Sequence, residues 1–214
     1  MQWQIFAEVP PATVSELMRL ARRRTFKKGE VVFHREDPAE SMHLIARGRF
    51  AVRIMTPLGE TATIAVRGPS ESFGEMALLS EDGRRAATVA ALEAGETFSI
   101  YQREFHLLRR ERPEVNEFLL RFLAKEIRAQ NARLLEALYL PVDRRVRRRL
   151  VELAELYRST AGEIPLTQEV LAEMAGATRQ TVNQVLQEEQ ERGTIEIRRG
   201  RTIIRDLDGL AKRI

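Results

Sequence analysis

The sequence contains no cysteine, and among its 214 residues there are only three histidines (His34, His43 and His106) and one tryptophan (Trp3). Without cysteine the chain cannot form disulfides, thiolate nucleophiles or cysteine-ligated iron–sulfur clusters. The histidines show no spacing to carboxylates that resembles a zinc site. We therefore expect no bound metal and no iron–sulfur cluster. The sequence also offers no nucleophile–base pair, so we expect that the protein is not an enzyme.

Long hydrophobic runs are also absent. A membrane-spanning helix needs about 18 or more predominantly apolar residues in a row, and the first residues lack the basic and then apolar layout of a signal peptide. We expect a soluble protein of the cytoplasm that has no membrane partner. Its length suits two small domains, and a hydrophobic share of 43% is ample for packed cores.

Charged residues, in contrast, are abundant. The formal net charge of +4 permits a polyanionic partner. Charged residues of both signs make up 31% of the chain, so most of them must be solvated surface. The basic residues cluster in residues 22–28, 144–149 and 198–201. These local clusters are more informative than the total charge.

Residues 1–113 have the pattern of an antiparallel β domain that follows a short helix. Short β-prone segments alternate with glycine-containing turns, at residues 31–33, 42–45, 50–54, 62–66, 87–91 and 97–100. Closely spaced short strands with regular glycine turns are typical of an antiparallel barrel or roll. We therefore predict a β-roll domain over residues 1–113.

Residues 114–138 form the longest helical pattern. Its apolar positions make a stripe of the coiled-coil type, which consists of Val115, Leu119, Phe122, Leu123, Ile127, Leu134 and Leu138. The polar pair Gln130 and Asn131 interrupts the stripe, and Pro141 ends the helix. One interpretation is an amphipathic helix packed on its own β domain. The other is a dimer interface, in which the polar pair fixes the register of the two helices or contacts a molecule bound nearby.

Residues 139–214 have the pattern of a helix-turn-helix domain. Thr167 is placed to cap one helix, Gly176 supplies a tight turn, and Thr178 is placed to cap a second helix. Two helices joined by a glycine turn at this length are typical of a DNA-binding helix-turn-helix. The segments 195–197 and 202–204 follow as a hairpin with a basic tip that contains Arg199.

The second of these helices carries side chains that suit DNA. The polar set that we expect to face outward is Thr178, Arg179, Gln180, Thr181, Asn183 and Gln184. Arginine can bind guanine O6 and N7 in a bidentate way, and glutamine can pair with adenine. Threonine hydroxyls and the basic hairpin tip suit phosphates. The alternative is a helical hairpin with a solvated polar face, but the flanking hairpin favours a reader of double-stranded DNA.

Residues 73–89 contain the groups needed to hold a small phosphorylated sugar. Glu75 can accept from a hydroxyl, Arg85 can bind phosphate oxygens, and Gly74, Ala86 and Ala87 let backbone N–H groups approach an anion. The alternative is a loop and strand in which Glu75 and Arg85 pair with each other or with water. The presence of all these residues together, in a region of short strands separated by glycine turns, favours a ligand site.

With these motifs the chain resembles, over nearly its full length, the cyclic AMP receptor protein and fumarate–nitrate regulator (CRP/FNR) family of bacterial transcription factors. The resemblance implies an α+β fold with an N-terminal antiparallel β-roll of the cyclic-nucleotide-binding type, a long dimerisation helix and a C-terminal winged helix-turn-helix. The corresponding ranges are 1–113, 114–138 and 139–214. It further implies a homodimer that binds a near-palindromic operator and contacts RNA polymerase. Residues 22–24 are one candidate surface for that contact, and the alternative is that they form a solvated basic face.

The resemblance also implies roles for single residues, with cyclic AMP as the expected effector. Glu75 would bind the ribose hydroxyl and Arg85 the cyclic phosphate. Backbone donors would come from Gly74 and the turn after it, which contains Met76 and Ala77, and from Ala86 and Ala87. Gln130 and Asn131 would read the adenine edge, while Arg179, Gln180 and Gln184 would contact bases. A haem-sensing branch of the family exists, but we expect the three histidines to be surface residues and haem to be absent.

This sequence departs from the family pattern at Glu126, where a basic residue would support Glu75. Two close carboxylates repel each other, and Lys125 is the neighbouring cation that would relieve this. The departure favours a second hypothesis, a regulator of the same fold that needs no nucleotide or senses another ligand. A third hypothesis, the regulatory module of an enzyme, would leave the helix-turn-helix unexplained.

Overall fold

The computed structural model describes residues 3–6, 9–78, 83–112, 114–158 and 162–214, except for the side chains of Ala77, Glu114 and Phe118. The chain divides into two compact units. The first consists of Met1–Glu60 and Ile64–Ala129, and the second of Thr61–Thr63 and Gln130–Ile214. In the described part of the chain, no helix combines the length and hydropathy that a bilayer span requires.

The first unit is built mainly from antiparallel strands. After a short 3-10 helix (Gln4–Phe6) and helix α1 (Pro11–Leu20) come eight strands: β1 (Arg22–Phe26), β2 (Val31–Phe33), β3 (Ser41–Arg47), β4 (Phe50–Met55), β5 (Thr61–Arg67), β6 (Ser72–Phe73), β7 (Thr88–Ala91) and β8 (Gly95–Tyr101). They form two four-stranded sheets with the orders β1-β8-β3-β6 and β2-β7-β4-β5. The predicted antiparallel β-roll is therefore confirmed.

The sheets and flanking helices of this unit enclose two apolar clusters. One cluster contains aromatic residues from four strands, among them Phe26, Phe50 and Phe73. The other contains Trp3, whose indole N–H donates to the Ile45 carbonyl at 3.4 Å and whose ring meets Phe98 edge-on at 6.0 Å between centroids. The N-terminal segment is thereby anchored to the roll.

Two helices follow the roll, α2 (Gln102–Glu111) and α3 (Glu114–Tyr139). Along α3 the apolar stripe changes its environment. Val115 and Leu119 are buried in the first unit's core, whereas Ile127, Leu134 and Leu138 are 60%, 57% and 65% exposed. Packing on the chain's own β domain therefore holds for the first turns of the helix only, and the rest of the stripe is uncovered.

The second unit contains the remaining helices and a small sheet. These are α4 (Val142–Leu156), β9 (Glu163–Ile164), α5 (Gln168–Ala175), α6 (Arg179–Glu191), β10 (Ile195–Arg198), β11 (Arg201–Ile204) and α7 (Leu207–Ala211). The sheet has the order β10-β11-β9 and is antiparallel. The predicted helix-turn-helix followed by a hairpin is present, and the hairpin forms the wing.

A buried carboxylate holds the second unit together. Glu189 on α6 is fully buried and accepts hydrogen bonds from Arg147 Nε on α4 (2.9 Å), Arg213 Nη2 near the C-terminus (2.6 Å) and Thr194 Oγ1 before the wing (2.7 Å). Burial alone would raise the pKa of Glu189, but the hydrogen bonds from Arg213, Thr194 and Arg147 lower it to about 2. One charged group therefore fixes three segments around helix α6.

We predict that Glu189→Gln destabilises the protein by about 3–5 kcal/mol, because it removes the anionic member of a buried ion pair with Arg147, which keeps Asp143 and Glu188 as its remaining acidic partners. The matched control is Glu188→Gln on the neighbouring, 39% exposed side chain, for which we expect less than about 1 kcal/mol. Urea unfolding at neutral pH measures both. Equal losses for the two variants would contradict the prediction.

The same carboxylate predicts a pH dependence. The folded-state pKa of about 2 lies below the value of about 4.3 for an exposed glutamate. The unfolded chain therefore binds this proton more readily, and the stabilisation is complete above that exposed-glutamate value and lost as the pH falls towards 2. The stability difference between wild type and Glu189→Gln should shrink over this interval. A constant difference would contradict it.

Candidate effector and DNA-binding sites

Gly74 lies at the end of β6, where the chain turns into a 3-10 helix (Glu75–Leu78). Its φ of 77° is in the left-handed region, which favours glycine. A Cβ at this position would lie 2.9 Å from Arg85 Nη1 and 3.3 Å from the Ser41 carbonyl oxygen. The backbone conformation therefore favours glycine here, and a larger residue would also have to displace the Arg85 guanidinium.

Arg85 is a buried cation whose hydrogen bonding is incomplete. Its Nη1 donates to the Ser41 carbonyl at 2.6 Å, its Nη2 lies 3.3 Å from Ser41 Oγ, and its Cζ lies 3.9 Å from the centre of the Phe33 ring. The residue is 6% exposed, and its Nε has no hydrogen-bond partner among the described residues. Within the described residues Arg85 therefore donates to Ser41 and forms no ion pair with Glu75.

Burial also affects the charge of this group. It lowers the pKa of Arg85, and the nearby carboxylates of Asp37 and Glu40 oppose the shift. An arginine stays protonated at neutral pH, so the site retains a positive charge that the surrounding groups only partly compensate. Such a group suits an anionic ligand with several oxygen acceptors.

Glu75 lies beside a group of charged residues that includes Glu126 on α3. Burial raises the pKa of Glu75, Arg67 opposes this, and Glu126 adds to it. Arg67 on β5 donates from Nη2 to Glu126 at 2.7 Å and from Nη1 to Glu71 at 3.2 Å. The Glu126 carboxylate thus disfavours ionisation of Glu75, which is the predicted direction, but Arg67 forms the ion pair with Glu126, whereas Lys125 is exposed.

His43 is buried, so the expectation that all three histidines are surface residues is wrong. Its ring stacks on Phe73 at 5.0 Å between centroids, and its Nδ1 lies 3.0 Å from Thr97 Oγ1. Burial, with contributions from Arg85 and Arg24, lowers the pKa of His43 to about 3. The ring is therefore neutral at physiological pH and packs in the aromatic cluster of the roll.

The other predicted effector residues lie in different environments. Met76 is exposed, Ala86 is exposed and Ala87 is buried. Ala77 lies in the 3-10 helix, and its side chain is outside the described part, as are residues 79–82. Gln130 and Asn131 are exposed on α3 and belong to the second unit. The described residues thus bring together Gly74 and Arg85, with Glu75 next to Gly74.

In the second unit, threonine caps begin both helices of the helix-turn-helix. Thr167 accepts from the Val170 N–H at the start of α5, and Thr178 accepts from the Thr181 N–H at the start of α6. Between them Gly176 adopts the left-handed conformation that closes α5. The predicted caps and turn are confirmed.

The polar face of α6 divides into two groups. Arg179, Gln180 and Gln184 are exposed, and no hydrogen bond joins the Arg179 side chain to the described residues. Asn183 Oδ1 accepts from Gln168 Nε2 on α5 at 3.2 Å, and the hydroxyls of Thr178 and Thr181 lie 2.9 Å apart. The second group is thereby held in position by the chain itself. Gln168 was not among the predicted residues because only its contact with Asn183 reveals it.

A cleft of about 500 Å³ separates the start of α5 and Arg179 from the wing. Its wall includes Arg198, Arg199 and Arg201. Arg198 pairs with Glu196 at 2.6 Å and Arg201 with Glu163 at 2.7 Å. Arg199 is exposed at the hairpin tip and forms no ion pair within the described residues. This arginine is therefore available to an external phosphate.

The densest basic stretch, residues 144–149, is largely used inside the unit. Arg147 binds Glu189, Arg148 and Arg149 bind Glu136, and Arg145 binds backbone carbonyls. A guanidinium that already has such partners adds little to an external anion site. The run of arginines is thus a structural feature of α4.

An antiparallel β-roll with this turn, followed by a winged helix-turn-helix, defines a transcription regulator that has a cyclic nucleotide-binding domain. The cyclic nucleotide-binding domain family matches residues 23–112, and the Crp-like helix-turn-helix domain family matches residues 144–213. The chain belongs to the CRP/FNR family of transcription regulators. Membership of this family makes it a regulator and not the regulatory module of an enzyme.

Several relatives match nearly the whole chain. It is 29% identical over 214 residues to the CRP-like cAMP-activated global transcriptional regulator of Mycobacterium tuberculosis, covering 98% of this chain and 95% of the relative. It is 29% identical over 203 residues to the cyclic AMP receptor protein of Thermus thermophilus, covering 94% and 92%. The solved structure of the c-di-GMP responsive regulator CLP of Xanthomonas campestris matches with a TM-score of 0.78 at 19% identity, covering 91% and 99%. The last likeness concerns the fold alone.

The pair of Arg67 and Glu126 generates a prediction about stability. We expect Arg67→Met to cost about 1–3 kcal/mol, because it leaves two partly buried carboxylates without their cation. The double variant Arg67→Met/Glu126→Met should cost less than the sum of the single losses, with a coupling of about 0.5–3 kcal/mol. Urea unfolding of wild type, the two single variants and the double variant measures this coupling. A double-mutant cycle on the exposed pair of Glu155 and Arg158 is the control. An equal coupling energy in both cycles would contradict the prediction.

Proposed function

We propose that the protein is a homodimeric transcription regulator whose operator affinity is increased by a cyclic nucleotide, with cyclic AMP as the effector. The observation that carries this proposal is the Arg85 guanidinium, which is buried beside Gly74 with its Nε unpaired in the described structure. A buried charge is costly unless hydrogen bonds satisfy it. A cyclic phosphate would supply the missing acceptor.

Glu75 supports a nucleotide over inorganic phosphate. It follows Gly74 at the start of the 3-10 helix and is partly buried, and a carboxylate there can accept from a ribose hydroxyl. The relatives from M. tuberculosis and T. thermophilus are named for cyclic AMP. For the base we propose recognition by Gln130 and Asn131, and for further phosphate contacts the backbone around Met76, Ala77, Ala86 and Ala87.

The proposal of a homodimer is based on the uncovered part of α3. Leu120, Ile127 and Leu134 recur every seven residues and are 67%, 60% and 57% exposed, and Leu138 continues the stripe at 65%. Apolar residues at this spacing are typical of a helix that packs against a second helix. A second copy of the chain would cover the stripe, and Gln130 and Asn131 would be the polar pair that interrupts this helix–helix interface.

For the second unit we propose binding to a near-palindromic operator as a dimer. Arg179, Gln180 and Gln184 would contact bases, Asn183 would keep α6 oriented through Gln168, and Thr167, Thr178, Thr181 and Arg199 would contact phosphates. The two α6 helices of a dimer would then enter major grooves about 34 Å apart. We further propose action in the cytoplasm and RNA polymerase as a partner, with the exposed residues 22–24 of β1 as a candidate contact.

A second candidate is a regulator of the same family that needs no nucleotide or senses another ligand. The observation that favours it is the presence of Glu126 beside Glu75, because a second carboxylate raises the cost of ionising the first. In this candidate Arg67 would serve to neutralise Glu126 and would have no role in an effector site.

We predict that calorimetry detects binding of cyclic AMP and that Arg85→Gln weakens it about 10- to 100-fold, because a charge-assisted hydrogen bond to the phosphate is removed. The matched control is Arg84→Gln, which removes the same charge from the exposed neighbouring side chain and should bind normally. Cyclic GMP is tested in parallel. No heat with either nucleotide, together with unchanged operator affinity, would overturn the effector and leave the second candidate.

We predict different effects for two arginines of the DNA-binding unit. Arg179→Ala should relax specificity at one base pair in each half-site, at a cost of about 1–3 kcal/mol for the preferred base. Arg199→Ala should weaken binding to all sequences. It should also lower the slope of log affinity against log salt concentration by about one for each phosphate that the variant no longer binds.

Binding titrations at several salt concentrations, on a selected operator and its single-base variants, distinguish these effects. Arg198→Ala is the control at the wing, because Arg198 is paired with Glu196, and its effect should be smaller than that of Arg199→Ala. The same loss on every sequence for both Arg179→Ala and Arg199→Ala would contradict the division of roles.

A further inference from the structure

The junction between α3 and α4 leaves a backbone acceptor without its usual donor. In a helix the carbonyl of residue 137 would accept from the N–H of residue 141, but residue 141 is proline and has no N–H. The Arg145 side chain replaces that donor, since its Nη1 lies 3.0 Å from the Ala137 carbonyl oxygen. A side chain of α4 thus completes the hydrogen bonding in the last turn of α3.

The same guanidinium reaches the turn of the helix-turn-helix. Arg145 Nε donates to the Ala175 carbonyl at 3.1 Å, and Nη2 donates to the Gly176 carbonyl at 3.2 Å. Ala175 is the last residue of α5, and Gly176 is its left-handed cap. Carbonyls at a helix C-terminus lack intrahelical donors and carry partial negative charge, so a cation is stabilised there. Arg145 binds two such ends at once.

A second contact holds the same turn of α3 against α4. The Glu136 carboxylate, which is 10% exposed, pairs with Arg148 Nε at 2.9 Å and with the guanidinium of the buried Arg149. Glu136 precedes the carbonyl that Arg145 binds. The last turn of α3 is therefore tied to α4 by two residues, and through Arg145 also to the turn that precedes α6.

We propose that Arg145 is the positioning residue that fixes the helix-turn-helix to the C-terminal end of α3. α3 is one continuous helix from Glu114 to Tyr139, and Glu126 on it binds Arg67 near Glu75. A change at the effector site that moves α3 would thereby reach the turn before α6. The regulatory part of this inference rests on the proposed function, whereas the positioning part does not.

The chemistry requires arginine at this position. A planar guanidinium offers donors in a fixed fork, and here its three nitrogens bind three carbonyls that belong to two helices. A lysine ammonium keeps the charge but lacks the fork. Arg145→Lys should therefore keep a positive charge at the helix ends but lose the hydrogen-bonded link between the two helices.

The test uses the full-length protein and a selected operator. The quantity measured is the coupling factor, the ratio of operator dissociation constants without and with cyclic AMP. We expect Arg145→Gln to reduce it by about fivefold or more, and Arg145→Lys to fall between this variant and wild type. Arg144→Gln is the matched control, because Arg144 is exposed on the same helix and forms no side-chain bond within the described residues. This control should keep the wild-type coupling factor.

Amide hydrogen exchange gives a readout that needs no nucleotide. Arg145→Gln should accelerate exchange in the last turn of α3 and around Gly176, whereas Arg144→Gln should leave both unchanged. If wild type shows no response to cyclic AMP, the proposed effector fails, and the exchange data still decide the positioning role. Unchanged exchange at both places, or an unchanged coupling factor in a responsive protein, would overturn the inference. Thermal unfolding confirms that the variants fold.

Discussion

A guanidinium group stays charged in a protein, so every buried arginine must find partners, and both units depend on this constraint. In the second unit Arg147 binds Glu189, which orders helix α6, and Arg145 binds the carbonyl ends of two helices. In the first unit Arg67 binds Glu126, while the side chain of Arg85 has, among the described residues, Ser41 and the Phe33 ring as its partners. Of these four arginines, Arg85 has the least complete set of partners within the described residues, and it lies beside Gly74, where a ligand is proposed.

The same constraint determines which basic residues remain for nucleic acid. The longest arginine run in the sequence is used within the second unit, whereas Arg179 on α6 and Arg199 at the tip of the wing are exposed and form no ion pair within the described residues. The densest basic run in the sequence is therefore not the one that remains for an external anion. The ion pairs that each arginine makes inside the fold indicate which arginines remain available.

Local patterns predicted the features that depend on neighbouring residues. The caps at Thr167 and Thr178 and the turn at Gly176 follow from backbone requirements that a few residues express. Contacts between distant residues were not predictable in this way. Arg67 meets Glu126 across 59 positions, and the burial of His43 depends on rings from other strands. Strand Arg22–Phe26 was missed because its side chains are exposed up to Phe26, so it lacks the apolar alternation of a strand.

The buried position of Trp3 has a practical consequence. It is the only tryptophan in the chain, and its indole is enclosed in the core of the first unit, against Ile45 and Phe98. Tryptophan emission therefore originates from that unit alone, and the DNA-binding unit is silent when indole is excited selectively. A fluorescence change on adding a small molecule would report an event in the β-roll. A melting curve recorded by this emission would follow the loss of structure around the roll, independently of the helix-turn-helix.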